Sequence, residues 1–316
     1  MPELVYKKSN ELSDEEKQQY CKLYSDVFKR TKYIKLFDRQ FLNNHKGYGY
    51  HVFYMCDEKM VGAYSVIPVE YKMNGEKLSV GLVVDTMIHE DYRTDLFMVK
   101  KMSKILYPEM TKDGIQFLLG FPNKKIYKYR LRLLKWSTMN NLSFYILPVN
   151  PKAFSPWISL LNPFFQLGNI ISMFIIKLLA SKKIIERPAE KVLNDDFMKF
   201  RYSQNYTQID CSDTCKAAYI VYKEDNKNIA YLMDFYPVSQ KNFYLAMRKT
   251  AKTAGKKIDG VIYVGNLPFY SILKIPSFQE PRKVHVAGFI LDNNLNNTFM
   301  FNIKNWQISL ADFDVR

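Results

Sequence analysis

Two hydrophobic periods alternate along the first half of the chain. Residues 13 to 30 (SDEEKQQYCKLYSDVFKR) place Tyr20, Leu23, Tyr24 and Phe28 at helical spacing. Ser13 followed by three acids is an N-cap whose charges complement the helix dipole. A second short helix is expected from Ile34 to Leu42. Apolar runs then predict strands at His51 to Cys56, Met60 to Tyr71 and Leu78 to Ile88. Asn74-Gly75 tolerates positive φ and signals a hairpin, so residues 51–88 read as an antiparallel meander. Asp95 to Met110 returns to the helical period, with Leu96, Val99, Met102, Ile105 and Leu106 on one face and Asp113-Gly114 as its stop. Ile115 to Gly120 is a short buried strand. Asn123 caps a helix to Leu134, and Leu142 to Leu147 is another strand.

The second half partly repeats this order. Strands are expected at Ala217 to Tyr222 and Ile229 to Phe235, joined by the polar turn KEDNKN. A helix runs from Ser239 to Ala254 and Gly255 ends it. Gly260 to Tyr263 is a strand, and a short helix follows Asn266. Val284 to Leu291 and Phe299 to Phe301 are closing strands. The pattern therefore predicts an α/β (α+β) chain of two related units. The first spans 1–150, an apolar helical connector 151–190, and the second 191–316. Each unit is expected to be a mixed, mostly antiparallel sheet flanked by helices. A length of 316 residues suits about two domains.

Charge changes the picture more than composition does. The net charge of +15 suits an anionic ligand, a nucleic acid or an acidic membrane, without choosing among them. Part of it is concentrated in GFPNKKIYKYRLRLLKW, where Lys124, Lys125, Lys128, Arg130, Arg132 and Lys135 follow the apolar strand with no acid among them. Ile126, Tyr129, Leu133 and Leu134 give that helix a buried stripe, so its lysines either meet phosphates or form a solvated face. No nucleic-acid recognition motif is visible. Cys211 and Cys215 lack a second pair or nearby His for zinc, so no metal is expected and the cysteines read as reduced and cytoplasmic. The N-terminus has no apolar signal-peptide core. The segment Ala153 to Ile176 is uncharged but broken by Pro163 and Gly168. It reads as a buried or interdomain helix; the alternative is peripheral membrane contact through 156–180. Asp85 is a carboxylate within an apolar strand, where such a group needs a reason.

The element order, with VGLVVDTMIHEDYRTDLFMVKKMSKILYPEM and then GFPNKKIYKYRLRLLKW at its joints, resembles the GNAT superfamily of acyl-CoA-dependent N-acyltransferases. The resemblance implies two tandem GNAT-like domains, the second degenerate. It implies that Thr86, Met87 and Ile88 carry the pantetheine arm of acyl-CoA. Arg93, Thr94, Asp95, Leu96 and Phe97 would form the pyrophosphate turn at a helix N-terminus, where unpaired N–H groups favour phosphate. Neither of the usual glycines follows Arg93, and Asp95 adds charge there or serves as a cap. Asn123 would meet the thiol end. Tyr127 or Tyr129 is the expected acid for the leaving thiolate; the strict family spacing from Asn123 falls on Arg130. Asp85 is the expected base, with His89 and Glu90 as fallbacks.

Asp312 and Asp314 sit two apart in NWQISLADFDVR; on a strand they would share a face and bind a cationic amine. Phe235-Tyr236-Pro237-Val238 replaces the phosphate turn in the second half, and proline removes a donor. Only the first unit is therefore expected to bind acyl-CoA. This pattern looks like N-acyltransferases that modify nucleotide-linked amino sugars for bacterial surface polysaccharides (O-antigen or capsule). It is similar, more distantly, to Fem-type non-ribosomal peptidyltransferases, which use charged tRNA. A non-catalytic nucleic-acid or membrane-surface binding protein is the reading from another class.

Overall fold

A computed structural model describes residues 3–150, 180–193, 197, 201–202 and 206–312. The connector's 151–179, with nearly all of the proposed membrane-contact segment, and Asp314 lie outside these residues.

The chain opens with β1 (Glu3–Lys8), which the pattern reading did not anticipate, and α1 (Asp14–Phe28). Ser13 caps α1 through a capping box with Glu16. After α2 (Ile34–Phe41) come β2 (Tyr50–Cys56), β3 (Lys59–Met73) and β4 (Glu76–Ile88), the expected meander. Helix α3 (Met98–Lys112) starts three residues later than predicted. The cause is Asp95, whose carboxylate accepts from Phe97 N at 2.7 Å and holds a turn before the helix. Then follow β5 (Phe117–Gly120), α4 (Lys124–Leu133) and β6 (Ser137–Pro148). Asn123 caps α4, accepting from Lys125 N and Ile126 N at 3.1 Å each.

The remainder comprises β7 (Ala189–Lys191), β8 (Thr207–Ser212), β9 (Cys215–Glu224), β10 (Lys227–Tyr236), α5 (Gln240–Ala254), β11 (Gly260–Gly265), β12 (Val284–Ile290) and the short α6 (Asn297–Met300). Three expectations are corrected here. No helix forms after Asn266, whose side chain instead donates to the carbonyls of Ile303 and Trp306 and pins the loop to the C-terminal segment. Phe299 lies in a helix, because Asn296 caps that turn. The run before Asp312 ends in a 3₁₀ turn, Leu310–Asp312, so strand alternation does not apply to that acid.

Among the described residues, twelve strands form one sheet, in the order β1-β2-β3-β4-β5-β12-β6-β11-β10-β9-β8, with β7 paired to β3. Most neighbours are antiparallel; β4 with β5 and β10 with β11 are parallel. The fold is thus mixed α/β, a large mostly antiparallel sheet flanked by helices. Strand β12, from late in the chain, sits between β5 and β6. Strand β6 in turn pairs its first half with β12 and its second half with β11. The two halves therefore share a continuous ladder. One core packs α1 and α2 on the first half's sheet through Tyr20, Phe37, Phe41, Phe53 and Val84. Another packs α3 on the opposite face through Met102, Leu106, Tyr64 and Val83.

The parallel pairing of β4 and β5 is short. It runs from Val80–Phe117 to Val83–Gly120, after which β4 continues to Ile88 while the other chain leaves through Phe121-Pro122-Asn123. A wedge opens between them. Pro122 contributes no amide hydrogen to close it.

Candidate functional site

At the wedge, β4 carries a bulge. Ser65 pairs with Val84 and Ala63 with Met87, so two residues, Asp85 and Thr86, stand opposite Tyr64. Asp85 takes φ of 43°, a left-handed conformation that is strained for a non-glycine residue. Simple alternation would separate Val84 from Asp85. The bulge instead turns both toward α1, together with Met87, while Thr86 faces the α3 side.

Asp85 is buried, and three donors converge on its Oδ2. Tyr20 Oη donates at 2.9 Å, Lys32 Nζ at 2.6 Å and Gln40 Nε2 at 3.2 Å. Oδ1 takes none of these three bonds. The Lys32 side chain is as buried as its partner, so the pair is a closed ion pair in low dielectric. Burial and the neighbouring Asp85 charge hold the Tyr20 phenol well above its ordinary pKa. Behind Tyr20 the network continues through Ser65 (3.1 Å) to His51 Nδ1 (2.9 Å), and from His51 Nε2 to Ser9 (2.7 Å). Burial, with Lys32 adding to it, pushes the His51 pKa down to about 3, so its imidazole is neutral. Lys32, Tyr20, Gln40 and His51 were not legible as site residues, since nothing local marks a lysine in KRTKY as the partner of a carboxylate 53 positions away.

Asp85 lines a cleft of about 1220 Å³. The other walls are the end of α1 (Tyr24, Phe28, Arg30), the Phe121-Pro122-Asn123 turn, one face of α4, and Arg282 to His285 leading into β12. Among the described residues, six cations, Arg30, Lys124, Lys128, Arg132, Arg282 and Lys283, line it against the one carboxylate of Asp85. The basic helix thus spends three of its charges on the cleft. Tyr127 lines the same cleft; its hydroxyl donates to Thr138 Oγ1 at 2.6 Å and its ring stacks on His285 at 4.1 Å. Burial, with Lys283 and Lys124, lowers the His285 pKa, which keeps the imidazole a neutral acceptor or donor at the cleft. His285 is a second functional candidate that the strand pattern hid. A smaller cavity of about 140 Å³ lies on the other side of the ion pair, lined by Lys32 and Gln40 and by Lys191 and Asp312. Tyr24 and Arg30 border both spaces.

The remaining sequence candidates fall elsewhere. Tyr129 points to α3, its hydroxyl donating to Leu96 O at 2.7 Å, so the two tyrosines serve opposite sides of α4. Arg93 Nε donates to Ile88 O at 2.9 Å and ties the turn back to β4. Asp95 pairs with Lys101 at 2.7 Å, which neutralises the acid at the start of α3, while Leu96 and Phe97 are exposed. Thr94 is exposed in the same turn. His89 lies beside Asp91 at 3.3 Å, and neither it nor the exposed Glu90 lines the cleft. Asp312 is not an open anionic seat. Its carboxylate accepts from Lys191 Nζ (2.8 Å), Tyr71 Oη (2.5 Å) and Ser309 N (2.7 Å). Lys191 also pairs with Asp234 at 2.8 Å. Burial works against the ammonium, yet the two carboxylates outweigh it and hold its pKa above the ordinary value.

The buried stripe expected on α4 forms only in part: Leu134, its C-cap, is buried as expected. Within the helix the fully buried side chain is a charge, Arg130, whereas Ile126, Tyr129 and Leu133 are only half-buried. Among the described residues no group of three or more His, Cys, Asp or Glu is placed to hold a metal, and no helix is long and apolar enough to cross a membrane.

Residues 8–130 match the model of the acetyltransferase (GNAT) domain. No curated protein matches the chain. Solved structures with the same fold include a conserved protein of Enterococcus faecalis, termed a "Probable N-Acyltransferase", at 9% identity and a TM-score of 0.56, covering 92% of this chain and 73% of that one. A GCN5-related N-acetyltransferase from Kribbella flavida aligns at 10% identity and 0.56, covering 92% and 72%. Another from Anabaena variabilis aligns at 11% and 0.52, covering 91% and 73%. At these identities the likeness is one of fold.

Proposed function

We propose that the chain transfers an acyl group from acyl-CoA to the amine of a phosphate-bearing acceptor, of which a nucleotide-linked amino sugar for surface polysaccharide is the best-fitting class. The observation that carries this reading is Asp85, a buried carboxylate at the wall of a cleft whose other charges, among the described residues, are all positive. The match of residues 8–130 to an acetyltransferase domain supports the acyl-CoA half. The cation-lined cleft supports the acceptor half, because Lys and Arg complement phosphate.

In this reading acyl-CoA lies along Thr86, Met87 and Ile88, in the wedge that β5 leaves open. The unpaired edge of β4 there suits the amides of an extended ligand, as strand addition does. The Arg93 to Phe97 turn and the start of α3 take the phosphates. The acceptor occupies the cleft. Its ammonium gives a proton to Asp85 Oδ1, directly or through one water, while Lys32, Tyr20 and Gln40 hold Oδ2 in place. The amine nitrogen then attacks the thioester carbon, the C–N bond forms, the C–S bond breaks, and nitrogen's second proton leaves through water. Of the two tyrosines expected to serve the leaving thiolate, only Tyr127 faces the cleft. The test is thiol release from acetyl-CoA with matched acceptors, amino sugars with and without a phosphate or nucleotide. Release that requires the amine, and prefers the phosphate-bearing member, is expected. Absence of transfer to every amine would remove the enzymatic reading.

A further inference from the structure

Arg130 is buried to 4% exposure, and its charge is left unneutralised. Nη2 donates to Thr86 Oγ1 at 3.3 Å, but Nε and Nη1 have no hydrogen-bond partner. Its guanidinium lies over the Trp136 ring, 4.6 Å from the centroid. The ionisable groups that face it are two phenols, Tyr64 and Tyr107; among the described residues no carboxylate pairs with it. Burial lowers its pKa, yet an arginine keeps its proton in proteins. A buried charge without a counter-charge is costly to maintain. The fold has made room for it: a Cβ on residue 120 would collide with Nη1, so Gly120 is the residue that admits it.

The place is as telling as the charge. Gly120 is the last rung of the β4–β5 ladder, and Thr86 stands on β4 three residues past the partner rung, Val83. Arg130 therefore spans the apex of the wedge, on the face opposite the Asp85–Lys32 pair. From this we infer that Arg130 is the positive counter-charge for the sulfur that leaves acyl-CoA, stabilising the thiolate electrostatically where a proton donor would otherwise be needed. The inference rests on the wedge being the acyl-CoA site. When the C–S bond breaks, its electron pair stays on sulfur. The guanidinium holds that charge without giving up a proton, and the thiolate is protonated later from solvent. A preorganised cation in a dry site acts this way without reorganising at the moment of reaction. Tyr127 then acts on the cleft side as a positioning group for His285 and the acceptor.

The experiment compares the full chain with Arg130→Met and Arg130→Lys, using free CoA and acetyl-CoA. Replacing an unpaired buried charge by an apolar side chain of similar length is expected to leave the thermal midpoint unchanged or raise it. The thiol of bound CoA, followed by its ultraviolet thiolate absorbance, should ionise at lower pH on the wild type than on Arg130→Met, by roughly one pH unit, a tenfold effect. Amine-dependent acetyl transfer should fall by about tenfold or more in Arg130→Met and recover in part in Arg130→Lys. A thioester whose leaving thiol is already acidic should be much less affected. Identical thiol titration in both proteins would overturn the inference, and so would a large loss of thermal stability in Arg130→Met, which would make the residue structural. If the wild type binds no CoA, the reading under Proposed function fails instead, and the absence of binding separates that case from the others.

Discussion

At the scale of single residues, the Asp85–Lys32 pair bears on stability and, in the proposed function, on chemistry. Both side chains are almost fully buried, so removing one strands the other in low dielectric. Lys32→Met is expected to cost about 3–5 kcal/mol in urea unfolding, while Lys32→Met/Asp85→Leu should recover most of it because the stranded charge is gone. An additive double mutant would mean the two groups do not act as a pair. His51 adds a pH dependence. Its folded pKa, about 3, lies below the ordinary 6.5, so the unfolded chain binds the proton first. Its contribution is therefore fully present above pH 6.5 and is lost as pH falls toward 3, with an upper bound of about 5 kcal/mol. In His51→Asn, which keeps hydrogen-bonding capacity toward Ser9 and Ser65, the urea midpoint should fall less steeply across that interval. A slope equal to the wild type's would show that His51 is not the group responsible. None of these partners was legible in the sequence. The bulge that sends Val84 and Asp85 to one face breaks the period-two rule, and Lys32 comes from a loop with no pattern of its own.

At the scale of elements, what was local was legible. The Ser13 and Asn123 caps, the Asn74-Gly75 hairpin and most of the apolar faces of α1 and α3 depend on neighbours in sequence and form where their residues say, while Phe28 and Leu96 are exposed. Helix α4 was half legible. Its charge was evident, and three of its cations do line the cleft, but between its caps the residue it buries is Arg130. Helical periodicity ranks side chains by hydropathy and misses a cation that a glycine on another element accommodates. That dependence makes a prediction about packing between α4 and β5. Gly120→Ala forces the guanidinium out of its place and should cost about 1–3 kcal/mol, the usual range for overpacking a core. In an Arg130→Met background the same change should cost much less. Equal costs in the two backgrounds, measured by chemical unfolding, would mean that Gly120 is not there for Arg130.

At the scale of the molecule, the two halves share one sheet because β12 lies between β5 and β6. The repeated element order was visible in the sequence, but this insertion was not, since strand pairing across more than a hundred residues leaves no local trace. It also explains why Arg282 to His285, which lead into β12, reach the cleft beside α4 and Asp85. Asp312, expected to bind the amine, is instead consumed by Lys191, 121 positions earlier. In the proposed function the acceptor therefore lies in the cation-lined cleft, where Asp85 takes the amine's proton. The direct measurement is the pH profile of amine-dependent thiol release from acetyl-CoA in Asp85→Asn and wild type. It is made with a phosphate-bearing amino sugar, at a temperature where circular dichroism shows both proteins folded. The account predicts a loss of at least roughly a hundredfold near neutral pH, the lower end of the range for a positioned base, shrinking as pH rises and free amine becomes abundant. A near-normal rate at neutral pH, or a deficit of the same size at every pH, would contradict it.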